Sequence, residues 1–338
     1  AYTAFNPEDS VISSDVTIAP MWSNDVTTLT TFYSSSTQES SAPGKFYLDV
    51  YQTSSALSSA EVQFSVAYGH VSGGGSPTLA TNANSTLPTQ VIYSQYRNIL
   101  LAEDVEKFSF NGVDSNDIYV INIQRARLKQ AIDPGNWQLG LSGSNGIFTF
   151  IDNSGEKFNI TNSGTNEFNI VSGTLNLGST APAYIQTYTA SNGQGFGKFY
   201  PKLGIVLLNP TAIAATVGSE LLPTTSSAPS VETYNHKLIY KALKGGGDFE
   251  MRRTENVSTQ HFFVRATNRE FNYSNNPTYV SGSDGTFVES SFETDPKTYI
   301  TSVGLYNDAN ELLAVAKTSQ PIAKSFDKEV LIKVKLDF

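Results

Sequence analysis

Apolar and polar residues alternate with a period of two along much of this chain, the mark of half-buried strands. In "KFYLDVYQT" (45–53), Phe46, Leu48 and Val50 share one face. In "EVQFSVAYG" (61–69), Val62, Phe64, Val66 and Tyr68 do the same. "DIYVINIQRARL" continues the theme with Ile118, Val120 or Ile121, and Ile123. The last hundred residues add "QHFFVRATN", "TYITSVGLYN" and "ELLAVAKT". The cleanest alternation is the final "VLIKVKLDF", where Val330, Ile332, Val334, Leu336 and Phe338 alternate with Leu331, Lys333, Lys335 and Asp337.

Helical spacing is rarer. In "LPTQVIYSQYRNILLAED", Ile92, Tyr96, Ile99 and Leu100 fall at i, i+4, i+7 and i+8, which predicts a helix. "LNPTAIAATVG" (208–218) carries its own punctuation: Asn209 as N-cap, Pro210 in the first turn, Gly218 as the stop. "SVETYNHKLIYKALKGGG" predicts another helix, with Ser230 as cap, Lys241 and Lys244 in the last turn and Gly245 ending it. "DPGNW" (133–137) predicts a turn between two strands. In "GIFTFIDNSGEKFNITNSGTNEFNIVSGTLNLG", Phe148, Phe158 and Phe168 recur at the same spacing, with "KFNIT" and "EFNIV" as near duplicates. That predicts a meander of short strands. The expected class is therefore mainly β: β-sandwich-like domains with two to four short helices.

"ITSVGLYNDANELLAVAK" (300–317) reads as a hairpin turning at Asn307-Asp308-Ala309-Asn310. Its strands are apolar on both faces. Val303 and Leu305 are expected to share one face with Leu313 and Val315; Ile300 and Tyr306 are expected to share the other with Leu312, Ala314 and Ala316. The hairpin is expected to pair with "VLIKVKLDF". One face would then meet its domain's core, and the other the helix of 231–244 or a neighbouring subunit.

The chain's 338 residues are enough for one large or two medium domains. "LLPTTSSAPS" (221–230) reads as a linker. It divides the chain into an N-terminal mainly-β domain, 1–225, with a meander insertion near 145–180, and a C-terminal β domain, 230–338, preceded by a helix. Charged residues are 16% and the net charge is −9, which speaks against a nucleic-acid partner or adhesion to anionic membranes. No apolar run approaches the ~18 residues of a spanning helix. The opening "AYTAFNPEDS" has neither a basic start nor an apolar stretch, so no signal peptide is expected, and Ala1 fits removal of an initiator Met. Without cysteine there are no disulfides or thiolate metal sites.

Catalytic patterns are missing. His70, His236 and His261 have no ligand spacing. "GQGFGK" (193–198) lacks the spacing and the Ser or Thr of a phosphate loop. "NGVDSND" lacks the terminal Glu of a calcium loop. There is no G-x-S-x-G. The expectation is a protein without enzymatic activity, with no catalytic, cofactor-binding or metal residues and no cofactor. "NREFNYSNNPTY" (268–279) is different. It sets Phe271, Tyr273 and Tyr279 among asparagines, so it is either a loop packed over its own core or one that docks on another subunit.

"REFNYSNNPTYVSG" and "TYITSVGLYNDANELLAVAKTSQPIAKSFDKEVLIKVKLDF" resemble the C-terminal region of virion structural proteins of large contractile-tailed phages of marine cyanobacteria. "YSQYRNILL" and "YVINIQRARLKQAIDPGNWQL" are similar to more N-terminal parts of the same proteins. "VGLYNDANELLAVAK" also resembles a hairpin near the N-terminus of phage tail-fibre proteins. The resemblance implies a structural subunit of the tail or baseplate, acting by subunit–subunit assembly and located in the virion after assembly in the host cytoplasm. Its partners would be other virion proteins and copies of itself in threefold or sixfold symmetry. A neck or head-decoration protein and a carbohydrate- or receptor-binding tail module are the alternatives. The interface candidates are Phe271, Tyr273, Asn275, Asn276, Tyr279, Tyr306 and Phe338.

Overall fold

The structure, a computed structural model, describes the chain apart from residues 1–3, 5, 41–43, 45, 78–86, 156–166, 178–183, 190–194, 226–233, 274–276, 282–284 and 338. It divides into two compact units. The larger is Thr17–Glu255; the smaller joins Ala1–Val16 to Asn256–Phe338. The expected boundary at 225–230 is therefore corrected. Leu221 is buried, and the Thr224 amide donates to Asn235 Oδ1 at 2.9 Å. The described part of the "linker" is thus fastened inside the larger unit. The helix after it belongs there too.

Strand β1 (Ser10–Pro20) runs into the larger unit at Thr17. There follow β2 (Thr28–Leu29), helix α1 (Ser36–Ser40), β3 (Tyr47–Tyr51), β4 (Val62–His70), α2 (Pro88–Leu100), β5 (Phe108–Phe110), β6 (Val113–Ser115), β7 (Asp117–Ile123) and α3 (Arg125–Leu128). The unit continues with β8 (Ala131–Gly143), β9 (Gly146–Asp152), β10 (Phe168–Leu177), β11 (Tyr184–Tyr188), β12 (Gly197–Tyr200), β13 (Ile205–Leu208), α4 (Pro210–Val217), α5 (Asn235–Lys244) and β14 (Phe249–Ala266), which leaves the unit at Glu255. The mainly-β expectation holds. Of the five helices among the described residues, α1 and α3 are little more than single turns.

Apart from the separate pair β5-β6, these strands form a large antiparallel sheet in the order β14-β8-β9-β10-β12-β13-β7-β4-β3, with β11 on β10. The segment 28–33 ties its two ends together. Leu29 pairs with Phe249 of β14, and Tyr33 bridges to Tyr51 of β3. The sheet therefore curls until its opposite limbs face each other in the manner of a sandwich. Phe64 of β4 meets Phe249 edge-on at 5.4 Å, and Trp137 of β8 lies 4.9 Å from Phe199 of β12. The alternating residues Phe64, Val66 and Tyr68, and Tyr119 and Ile121, point into this core. So do Ile213 and Val217 of α4, and Ile239 and Leu243 of α5.

α4 starts as its sequence predicts: Asn209 Oδ1 accepts the Thr211 amide at 3.2 Å, and Pro210 occupies the first turn. In α2 the buried stripe is Tyr93, Tyr96 and Leu100, while Ile99 is exposed. The helix has turned to bury its larger aromatic area. That stripe covers Ala67, Ile118, Val120, Ile205 and Leu207, on the sheet face opposite the main core. The central strands are thus clothed on both sides.

Two local expectations are corrected. "DPGNW" does not separate strands. Ile132 pairs with Arg253 and Trp137 with Met251, so residues 133–136 bulge from within β8. Gly135, at φ +79°, supplies the left-handed backbone, and its amide donates to Asp152 Oδ2 at 2.8 Å. Nor is the meander an insertion. β9 and β10 are interior members of the main sheet. Phe148 and Phe168 pack against its core, and Phe158 lies outside the described residues.

In the smaller unit, β14 runs on to Ala266 and pairs antiparallel with β19 (Val330–Asp337), Phe262 facing Val334. β1 is its other neighbour; Gln260 Nε2 donates to Ser10 Oγ at 2.8 Å. Between them in sequence lie the short pair β15 (Val280–Ser281) and β16 (Thr286–Phe287), and the hairpin β17 (Thr298–Tyr306) and β18 (Leu312–Lys324). Among the described residues no helix is long and apolar enough to cross a membrane.

Candidate interaction surface

The hairpin turns where its sequence predicts. Asn310 sits at φ +61°, and Asn307 closes the loop by accepting the Glu311 amide at 2.8 Å. Its partner is not the one expected. β17 and β18 form a two-stranded sheet of their own, while Val330–Asp337 of "VLIKVKLDF" pairs with β14. Period-two alternation marks a strand but does not identify its neighbour.

The faces are also regrouped. Val303 pairs with Ala316 and Leu305 with Ala314; Gly304 pairs with Val315 and Tyr306 with Leu312. Irregularities between Ile300 and Ser302 and between Leu305 and Tyr306 shift the register. Leu305, Val303, Ala314 and Ala316 form the covered face, buried or half-buried. The opposite face is open: Tyr306 is 58% exposed, Leu312 53% and Val315 55%, with Leu313 at 68% beside the irregularity. Helix α5, the expected cover, is a member of the larger unit, and its own apolar side is buried in that unit's core.

The hairpin's base is held by polar contacts. Thr298 Oγ1 donates to the Phe271 carbonyl at 2.6 Å. Lys324, fully buried, donates from Nζ to the carbonyls of Asn268 (3.1 Å) and Ser325 (3.0 Å) and to Asn272 Oδ1 (2.9 Å). Burial lowers its pKa, and Glu270 and Glu329 act in the other direction. Three oxygens around one ammonium make a clamp between the end of β18 and the loop that starts at Asn268.

That loop contains most of the sequence-predicted candidates. Phe271 is half-buried at φ +55°, an unusual backbone for an aromatic residue, with its carbonyl held by Thr298. Tyr279 is the hub of a small aromatic cluster: Tyr273 edge-on at 5.4 Å, Phe287 edge-on at 5.6 Å, Phe292 stacked at 5.3 Å. Tyr273 is 59% exposed at its rim. Asn275, Asn276 and Phe338 lie outside the described residues. The sequence reading missed Phe287 and Phe292, which follow the loop in short irregular segments without periodicity. It also missed Leu312, Leu313 and Val315 as surface residues, because their exposure depends on the register.

Among the described residues no group of three or more His, Asp or Glu could hold a metal ion. His236 is buried in α5, where Nε2 bonds the Gly44 carbonyl at 3.0 Å, and burial lowers its pKa to about 4. No protein-family model, no curated protein and no solved structure matches this chain.

Proposed function

We propose that this chain is a structural subunit of a phage virion, in the tail or baseplate, that assembles with copies of itself and with other virion proteins. The observation that carries this reading is the open apolar face of β17–β18, with Tyr306, Leu312 and Val315 side by side and exposed, uncovered among the described residues. A lone two-stranded sheet is marginal in water. Covering each of these side chains contributes about 1.5–3 kcal/mol, and a neighbouring subunit is the cover that an assembling particle provides. The resemblance of this stretch to tail and tail-fibre proteins supports the same reading. Such subunits close into rings, so threefold or sixfold copies around the tail base are expected.

Val315→Glu tests this, because it places a charge on the open face without touching the covered one. The variant is expected to keep the wild-type circular dichroism and to lose self-association and incorporation into particles. Unchanged incorporation contradicts the proposal. In intact particles, copies on capsid faces would favour a head-decoration role in place of the tail.

A further inference from the structure

The larger unit contains a cleft of about 470 Å³ between α2 and the sheet, within the roughly 300–1,000 Å³ of small-molecule sites. Its floor is set by strand register. Tyr47 of β3 faces Ala67 of β4, and Ser65 of β4 faces Asn122 of β7. On this sheet face the residues under α2 are apolar, Ala67 and Val120. Two residues further along the strands they become Ser65 and Asn122, and here the floor is open. The wall is the helix side, with Val91, Gln95 and Tyr96.

The lining is specific in what it omits. Aromatic rings, Tyr47 and Tyr96, stand beside three neutral hydrogen-bonding side chains, Ser65, Gln95 and Asn122, and among the described residues no Asp, Glu, Lys, Arg or His lines the cleft. Among these described residues a phosphate or carboxylate ligand finds no cation to balance it. Ser65 is oriented by its neighbour, donating from Oγ to Asp49 Oδ1 at 2.5 Å, which leaves its oxygen free to accept. An extended peptide adding to β3 is opposed by Gln38, which donates from Nε2 to the Tyr47 carbonyl at 3.5 Å and accepts the Asp49 amide at 2.9 Å. That occupies backbone positions a peptide would need.

A ligand with apolar C–H faces and several neutral hydroxyls fits this lining. The Tyr47 ring takes the C–H face, and Ser65, Gln95 and the part of the Asn122 amide not engaged by the Tyr96 hydroxyl pair with the hydroxyls. Ser65 and Asn122, as directly opposed antiparallel neighbours, have Cβ atoms about 5 Å apart, a spacing that a single pyranose ring spans. We infer that this cleft binds a neutral sugar residue. The inference rests on the larger unit alone and stands or falls separately from the assembly reading.

The test is saturation-transfer NMR on the full chain with the methyl glycosides of glucose, galactose, mannose and N-acetylglucosamine. Transfer to the ring C–H protons of at least one is expected. Val91, 48% exposed on the wall, can be changed without disturbing the core. Val91→Arg is expected to reduce the transfer at least tenfold, and Tyr47→Ala to weaken it, with circular dichroism unchanged in both. Absence of transfer from all four glycosides overturns the inference. So does transfer that Val91→Arg leaves intact. Transfer to cyclohexanol alone overturns the sugar assignment and makes the cleft a site for plain apolar ligands.

Discussion

β13 and the β17–β18 hairpin begin with the same property: apolar residues on both faces. In β13, "IVLL", all four side chains are buried. Val206 and Leu208 face the curled core, and Ile205 and Leu207 face the layer under α2. The hairpin has a covered face built on Leu305 and an open face built on Tyr306, Leu312 and Val315. A strand that is apolar on both sides needs two covers. β13 has both; among the described residues the hairpin has one face buried or half-buried and the other exposed. The difference is between a strand sealed in its own core and one that keeps a large apolar face in solvent, the feature on which the proposed assembly role rests.

The sharpest way to break this contrast is Leu207→Ala. Leu207 is fully buried under α2, so its truncation is expected to cost about 2–5 kcal/mol, read by chemical denaturation. A loss below about 1 kcal/mol would mean that α2 is not a cover.

His236 gives the next effect, also in the larger unit. Its pKa is about 4 in the folded state, lowered by burial and by neighbouring Lys237 and raised in part by the Gly44 carbonyl and Glu39. In the unfolded chain it is near the ordinary ~6.5. Folded protein therefore excludes a proton that the unfolded chain binds. This contribution is complete above about pH 6.5 and is lost progressively as the pH falls towards 4, up to about 3 kcal/mol. Stability measured across that window is expected to flatten in His236→Gln, and an unchanged slope refutes the assignment.

Lys324→Met removes the clamp at the hairpin's base. Three acceptors lose their donor, so a loss of about 1–3 kcal/mol is expected, appearing as faster amide exchange at the base of β17 and β18. Equal protection in variant and wild type would show that the clamp contributes nothing. The smallest expected change in folding stability is that of Val315→Glu, within about 0.5 kcal/mol as for an exposed position, although the proposed assembly role expects its effect on association to be the largest.

The sequence was most informative where local chemistry decides. Asn209-Pro210 and Gly218 mark α4 at both ends, and the alternation of Phe64, Val66 and Tyr68 identifies a core face. It was least informative where the deciding partner is distant. The boundary at Glu255 falls inside β14, where no change of composition marks it. The Pro- and Ser-rich stretch at 221–230 carries the usual marks of a linker, yet Leu221 is buried. Pro134-Gly135 has the residues of a turn, but β8 pairs with β14 on both sides of it, so it bulges instead. Of the interface candidates named from the sequence, Tyr306 and Tyr273 are exposed and Tyr279 is half-buried in an aromatic cluster. Phe287 and Phe292, and the regrouping of Leu312 and Val315, were not legible, since they depend on ring packing and on an irregular register.

The central claim is that another subunit covers the open face of β17–β18. The most direct test is the mass of the purified full-length chain by sedimentation equilibrium, wild type beside Val315→Glu. The account predicts a wild-type mass of three or six chains and a folded, single-chain variant. A wild type that stays monomeric at high concentration, or a variant that keeps the wild-type mass, contradicts it.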